Sequence, residues 1–183
     1  GGHIASQAVL IATSPAYAQA IGIQPAITPD RLAATMLLSG AYDPTAVNFE
    51  GSYGWFLRTT LLAYVGVKNF QDSRQFQLMS VTGHVTRDFP ASFISSGNGD
   101  PLAPQARALA ERLTSLGVRV DALFFPPGRT PPLPHEYQFD LDDAGGQEAL
   151  ARMLAFLEPL RERRNGSRIS SAEDGGLLPV AGS

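Results

Sequence analysis

Short, continuously apolar runs alternate with helix-like patterns along most of this chain. The runs at residues 33–39 (Ala-Ala-Thr-Met-Leu-Leu-Ser), 91–95 and 118–125 have the length of strands and are bounded by Gly, Pro or polar residues. Runs of this kind are typical of parallel strands that are covered on both faces, although periodicity alone does not distinguish the first run from a buried helix. Polar residues alternate with apolar ones at the start of the third run, which favours a position near the edge of the sheet.

Helical periodicity fills the spaces between these runs. Residues 3–14 are apolar around most of their circumference, which predicts a helix that is buried on most sides. Residues 104–116 carry apolar residues at the three-and-four spacing of an amphipathic helix and stop at Gly117. Residues 147–158 repeat that spacing up to Pro159, where we expect the helix to end or kink. The order of these elements predicts an α/β fold with a parallel sheet and right-handed crossovers.

Two segments fall outside this alternation. Residues 44–87 show no strand–helix repeat and contain one aromatic, helix-like stretch at 55–64, so we interpret the segment as an insertion over the edge of the sheet. Residues 165–183 are rich in Gly and Ser and have no periodicity, which predicts a disordered tail. The predicted domain therefore covers residues 1–164.

Composition and charge exclude several classes of partner. A chain of 183 residues with 44% hydrophobic content is long enough for one globular domain with its own core. The net charge of −3 leaves no basic stripe for a nucleic acid, and no apolar run is long enough to span a bilayer. The chain has no cysteine, which excludes disulfides and thiolate ligands and favours a reducing compartment such as the cytoplasm without establishing it. Three scattered histidines predict no metal site, and no glycine-rich phosphate loop or other cofactor motif is present.

Two residues that can carry chemistry follow the last two predicted strands. Asp100 lies in a glycine-flanked turn after the second strand, and His135 lies in a proline-rich loop after the third. Because the carboxyl ends of parallel strands gather at one edge of a sheet, we expect the two side chains to meet. A histidine held in one tautomer by a carboxylate can take the proton of a serine hydroxyl. Each residue alone has a plainer interpretation, Asp100 as a turn or capping residue and His135 as a surface histidine.

Three segments carry a family resemblance. An acid followed by a histidine is the order of the last two members of the Ser–Asp–His triad in α/β-hydrolases. Residues 97–102 (Gly-Asn-Gly-Asp-Pro-Leu) and 135–139 (His-Glu-Tyr-Gln-Phe) resemble the acid and base segments of hormone-sensitive-lipase-like carboxylesterases. The opening Gly1-Gly2-His3 resembles the end of their Gly-x-Ser-Ala-Gly-Gly-His elbow.

The resemblance implies that residues 1 to about 160 form the C-terminal part of an α/β-hydrolase, comprising its strands six to eight. The serine nucleophile would lie two residues before Gly1, outside this chain, and the chain alone would be inactive. Gly1 and Gly2 would let the first helix approach the sheet closely, and His3 would pack and hydrogen-bond there. Asp100 would orient His135, and the parent enzyme would cleave small or medium carboxylic esters through an acyl-enzyme, with amide substrates left open.

The helix-like stretch in the insertion has two interpretations. Its apolar residues would line an acyl pocket or belong to the ordinary core; they are Trp55, Phe56, Leu57, Leu61 and Tyr64. An alternative function also stays open, namely a non-catalytic small-molecule-binding or interaction protein on the same fold. The presence of both Asp100 and His135 favours the enzyme, because a site that no longer catalyses has no need of them. The residues that precede Gly1 would discriminate between the two, whereas the sequence gives no indication of oligomeric state.

Overall fold

The computed structural model describes residues 1–47 and 49–173 and has a mixed α/β architecture built on a parallel sheet. The three strands lie in the order β1 (Thr35–Leu38), β2 (Ser92–Ser96) and β3 (Val120–Phe124). Thr35 pairs with Ser92, and Ser92 pairs in turn with Val120. All three predicted strands are thereby confirmed, including the first, which the sequence did not distinguish from a helix.

Helices occupy both faces of this sheet. In chain order they are α1 (Gly2–Thr13), α2 (Pro15–Ile21), α3 (Gly51–Val65), α4 (Arg74–Leu78), α5 (Val81–His84), α6 (Ala103–Ser115) and α7 (Ala144–Glu173). The four helical patterns found in the sequence correspond to α1, α3, α6 and α7. The segment predicted to be an insertion contains α3, α4 and α5, and its status as an insertion stays a prediction.

The three remaining helices, α2, α4 and α5, were not predicted because each is too short to show a periodic apolar pattern. Each begins at a serine whose hydroxyl accepts a hydrogen bond from a backbone N–H: Ser14, Ser73 and Ser80. Serine satisfies a helix N-terminus well, since the first N–H groups have no partner within the helix. Pro15 both stops α1 and supplies the first residue of α2, a position where proline is favoured.

Two apolar clusters cover the sheet. On one face, α1 and α6 pack around Leu37 and Ile94, and on the other α7 packs Phe156 near Phe93. All five residues of β2 are buried, because that strand is central and is covered on both faces. This explains why its sequence is continuously apolar or small instead of alternating.

Both outer strands leave an edge free among the described residues. β3 pairs only with β2, which confirms the prediction that the third strand lies at an edge, and β1 likewise pairs only with β2. The outer face of α1 is also uncovered, with Ile4 65% exposed. The prediction that this helix is buried on most sides holds only in part. α1 packs against the sheet, α2 and α5, whereas the face that carries Ile4, Ala5 and Ala8 is exposed.

The C-terminal helix is longer than the sequence predicted. It continues through Pro159 to Glu173, although a proline removes one backbone donor from the helical ladder. The residues that follow Pro159 are mostly good helix formers, which favours continuation. The helix overlaps the start of segment 165–183, where disorder was predicted, and residues 174–183 lie outside the described residues.

Candidate active site

Asp100 is the most completely bonded side chain at the carboxyl end of the sheet. It lies in the turn after β2 and is 3% exposed. Its Oδ1 accepts the backbone N–H of Leu102 at 2.9 Å, and its Oδ2 accepts the hydroxyl of Ser96 at 2.7 Å. A buried carboxylate is tolerated only when such partners replace its lost hydration. Ser96 is the last residue of β2, so it fixes the acid to the end of the strand, a role that the sequence analysis missed.

His135 supplies a further hydrogen bond to that carboxylate. Its Nδ1 lies 3.0 Å from Oδ2 of Asp100, so the structure brings together the two residues predicted to meet. An ionised carboxylate oxygen only accepts, so Nδ1 carries the hydrogen and a neutral ring presents its lone pair at Nε2. The side chain of His135 is 45% exposed, whereas that of Asp100 is fully covered. The arrangement is that of a buried orienting acid behind an accessible base.

A side-chain bridge joins the loops that carry these two residues. The Oδ1 of Asn98 accepts the backbone N–H of Leu133 at 2.8 Å, and its Nδ2 donates to the carbonyl of Arg129 at 3.0 Å. The N–H of Gly99 donates to the carbonyl of Leu133 at 2.8 Å. The acid turn and the histidine loop therefore form one hydrogen-bonded unit, which keeps the Asp100 carboxylate within reach of His135.

The glycines of the acid turn permit this close contact. A Cβ on Gly97 would lie 2.3 Å from the carbonyl oxygen of Leu133, and one on Gly99 would lie 3.0 Å from the same atom. Real Cβ atoms do not approach a backbone oxygen to the first of these distances. The packing of the histidine loop therefore requires glycine at position 97 and leaves little room for a side chain at position 99.

The histidine loop has a second support at the end of β1. The hydroxyl of Ser39 accepts the backbone N–H of Glu136 at 3.2 Å and donates to Oε1 of Gln138 at 3.3 Å. Ser39 and Glu136 both have left-handed backbones, with φ of 45° and 61°. Nothing in the sequence analysis identified this contact, because no motif surrounds Ser39.

The two predicted elbow glycines differ in their surroundings. A Cβ on Gly2 would lie 3.0 Å from both the Cα of Gly40 and the carbonyl oxygen of Leu38. Gly2 therefore marks the point where the start of α1 approaches the end of β1. Gly1 has no such neighbour, since a Cβ there would meet nothing within 4 Å.

His3 has the packing and hydrogen-bonding surroundings that were predicted for it. Its Nε2–H donates to the carbonyl oxygen of Met79 at 3.0 Å, which joins α1 to the residue that follows α4. Burial is the main cause that lowers the pKa of this imidazole below its ordinary value. At neutral pH a neutral ring therefore serves as a structural link between these elements.

An apolar cavity of about 290 Å³ lies between α1 and α3. Its walls include Gly1 and Ile4 on one side and Leu102, two residues past Asp100, on another. Three of the five residues considered for a substrate pocket line it: Leu57, Leu61 and Tyr64. The other two, Trp55 and Phe56, do not line the cavity and are 68% and 56% exposed. The cavity thus adjoins both the start of α1 and the acid turn.

The remaining polar candidates serve local structure. The Oδ1 of Asp143 accepts the N–H of Gly145 at 2.6 Å at the start of α7, and the ring of His84 packs against Tyr17 with centroids 5.1 Å apart. Among residues 1–47 and 49–173 no group of three or more His, Cys, Asp or Glu is arranged to hold a metal ion. Within the same residues, no helix combines the length and the apolar character that crossing a bilayer requires.

The fold and the site together define a mixed α/β protein that carries an Asp–His pair. The pair lies on the loops that follow two adjacent strands of the parallel sheet. The sequence matches no protein-family model and no curated protein. The fold is similar to that of esterase B from Lactobacillus rhamnosis, with a TM-score of 0.73 for a C6-C4 SN3 inhibited form and 0.72 for a second structure of this esterase. A structure with a C4-C4 SN3 tributyrin phosphonate gives 0.70.

These likenesses cover 92% of this chain at 18% sequence identity. The chain spans only 52–53% of the length of the esterase chains. At this identity the comparison shows a shared fold: the mixed α/β arrangement of this chain is similar to that of about half of the esterase.

Proposed function

We propose that this chain is the C-terminal portion of a serine hydrolase that cleaves carboxylic esters. The observation that carries the proposal is the 3.0 Å hydrogen bond between His135 Nδ1 and Asp100 Oδ2, formed across the loops that follow two adjacent parallel strands. An imidazole oriented in this way by a buried carboxylate is the group that deprotonates a serine hydroxyl in acyl-transfer enzymes.

The proposed nucleophile is a serine two residues before Gly1. Two observations support this proposal: Gly2 lies against the end of β1, as close helix–strand packing at an elbow requires, and the chain spans 53% of a structurally similar esterase. In such an elbow the backbone N–H of the residue after the serine supplies part of the oxyanion hole. The beginning of α1 would then lie directly beneath the reacting carbonyl.

The proposed reaction has two acyl-transfer steps. His135 Nε2 takes the serine proton as the serine oxygen attacks the ester carbonyl, and Asp100 stabilises the imidazolium that forms. The imidazolium then gives its proton to the departing alkoxide as the ester C–O bond breaks. The alcohol leaves, and the acyl group remains on the serine as an acyl-enzyme. Water, deprotonated by the same Nε2, attacks the acyl carbon, and the proton returns to the serine as the carboxylic acid is released.

The apolar cavity supports the proposal that the substrates are esters with short or medium aliphatic chains. It has a volume of about 290 Å³, adjoins both Gly1 and the acid turn, and is lined by aliphatic and aromatic side chains of α3. Specific pockets of similar or larger size hold small apolar ligands in many proteins. The similar esterase was crystallised with a tributyrin phosphonate, which makes butyrate esters the first substrates to test.

The test begins with the sequence that precedes Gly1, where a Gly-Asp-Ser-Ala segment is expected. The protein extended by its natural upstream residues should hydrolyse p-nitrophenyl butyrate, whereas residues 1–183 alone should not. We expect His135→Ala to lower kcat by about 10⁶-fold and Asp100→Asn by about 10⁴-fold. His84→Ala, which changes a histidine outside the site, should retain activity.

Several outcomes would contradict the proposal. Hydrolysis that persists undiminished in His135→Ala would exclude His135 as the base. A residue other than serine two positions before Gly1, together with binding but no turnover of an ester, would instead support a binding protein on this fold. Faster hydrolysis of a p-nitroanilide than of the ester would assign the site to amides.

A further inference from the structure

We propose that Ser39 is a positioning residue that holds His135 in line with Asp100. Its catalytic meaning rests on the proposed function, whereas the contact itself is a property of this chain. Ser39 follows β1 directly and is 6% exposed, and its hydroxyl bonds to the histidine loop from a position 97 residues away in sequence. The proposal assigns a role to a residue that lies outside the Asp–His pair.

The backbone conformation of Ser39 would suit glycine better than serine. Its φ of 45° lies in the left-handed region, which is unfavourable for an L-residue because its Cβ comes too close to the following carbonyl oxygen. Glycine would adopt this backbone without that cost. A buried serine in this conformation is therefore best explained by what its hydroxyl binds.

The hydroxyl fixes the peptide unit on the carboxyl side of His135. Ser39 Oγ accepts the N–H of Glu136 at 3.2 Å, and that N–H belongs to the planar peptide whose other half is the carbonyl group of His135. Holding this plane fixes the rotation about the Cα–C bond of His135. Glu136 has a φ of 61°, so the chain turns sharply at the residue that Ser39 holds.

The same hydroxyl also acts as a hydrogen-bond donor. Its proton is donated to Oε1 of Gln138 at 3.3 Å, and Gln138 is itself 3% exposed. Because the proton is directed to Gln138, an oxygen lone pair remains for the N–H of Glu136. Ser39 is therefore hydrogen-bonded to two residues just past His135, namely Glu136 and Gln138.

Supports that follow two other strands thus converge on the histidine loop, which itself follows β3. Asn98, in the turn after β2, bonds to Leu133 before the histidine, and Ser39, after β1, bonds to Glu136 behind it. With both sides fixed, the imidazole meets Asp100 without having to order a free loop. Removal of the Ser39 hydroxyl should therefore loosen the Asp100–His135 hydrogen bond even though neither partner is changed.

The experiment compares Ser39→Ala, Ser39→Gly and a matched control, Ser80→Ala, in the 183-residue chain. Ser80 is 7% exposed and its hydroxyl caps α5 by accepting the N–H of Gly83 at 3.2 Å. Nuclear magnetic resonance of the His135 ring, labelled with nitrogen-15, gives the hydrogen-bonded Nδ1–H signal and the tautomer. Thermal unfolding gives Tm for each variant.

Both Ser39 variants should lose the Nδ1–H signal, while Ser39→Gly unfolds about 2–8 °C above Ser39→Ala because glycine relieves the left-handed strain. Ser80→Ala should lower Tm and keep the signal. An unchanged His135 signal in Ser39→Gly would overturn the proposal, and so would a signal that follows Tm across all three variants. The readout needs no turnover in the 183-residue chain. Loss of the signal in the Ser39 variants, together with no ester hydrolysis by the protein extended by its natural upstream residues, would refute the proposed function and leave the positioning role intact.

Discussion

Asp100 shows what a buried charge requires at the scale of single residues. Its two carboxylate oxygens accept a backbone N–H, the hydroxyl of Ser96 and the Nδ1–H of His135. The sequence predicted that Asp100 and His135 would meet because their residue types follow neighbouring strands. It did not predict Ser96, Asn98 or Ser39, because serine and asparagine are common residues that no motif marks here. The partners of Asn98 and Ser39 also lie far away in sequence.

Asn98 provides a test of how strongly the two loops are joined. Asn98→Ala leaves the N–H of Leu133 and the carbonyl of Arg129 without their side-chain partner. We expect the free energy of unfolding to fall by about 1–3 kcal/mol, the usual effect of leaving such groups unsatisfied. Urea denaturation followed by circular dichroism measures the change.

Asn98→Asp is the matched variant, since it keeps an acceptor for Leu133 and replaces the amide that donates to Arg129. Because the new carboxylate oxygen faces the carbonyl of Arg129 and cannot donate to it, Asn98→Asp should lose at least the stability that the Arg129 hydrogen bond contributes. Equal stability of the wild type and Asn98→Ala would show that the bridge contributes nothing to the fold.

At the scale of elements, the distance between the acid turn and the histidine loop is set by glycine. Gly97→Ala places a methyl group 2.3 Å from the carbonyl oxygen of Leu133, so the two loops have to separate. We expect a loss of about 1–3 kcal/mol in unfolding free energy, typical of overpacking, together with exchange broadening of the His135 ring signals. Urea titration and proton resonance spectra check the two effects.

Gly128→Ala is the control for this change. Gly128 lies in the loop between β3 and His135, and a Cβ there would meet nothing within 4 Å. Its effect on stability should stay within about 0.5 kcal/mol. If both alanine variants were equally stable, the close approach at Gly97 would not be a constraint on the fold.

At the scale of the whole molecule, His3 couples stability to pH because it links α1 to Met79. Burial lowers its pKa from the ordinary value of 6.5, so the unfolded chain takes up a proton at a higher pH than the folded one. This contribution to the unfolding free energy is present above pH 6.5 and is lost as the pH falls through the lowered pKa.

His3→Gln keeps a donor for Met79 and removes the titration. Between about pH 8 and about pH 5, the unfolding free energy of the wild type should fall more steeply than that of His3→Gln. Denaturant titrations at a series of pH values give both curves. Parallel curves would show that the proton of His3 is not linked to folding.

The strands and the long helices could be predicted from local sequence patterns, whereas the short helices could not. Three apolar runs became strands and four periodic segments became helices, because burial against a sheet imposes those patterns. The short helices α2, α4 and α5 were missed, although their serine caps at Ser14, Ser73 and Ser80 were legible in the sequence. The extent of α7 past Pro159 was also missed, because a proline removes one backbone donor from a helix and does not by itself fix where the helix ends.

The sequence by itself determined the α/β class, the order of the strands along the chain and the two residues that meet after β2 and β3. These features depend on periodicity and on residue type, which are local. Only the tertiary structure decided that Ser96, Asn98 and Ser39 surround that pair, and that the outer face of α1 and one edge of β1 stay uncovered among the described residues. The contacts of Asn98 and Ser39 join segments far apart in the chain, and that of Ser96 depends on the turn that folds Asp100 back onto the end of β2. They arise from how the chain packs and leave no periodic signal in the sequence.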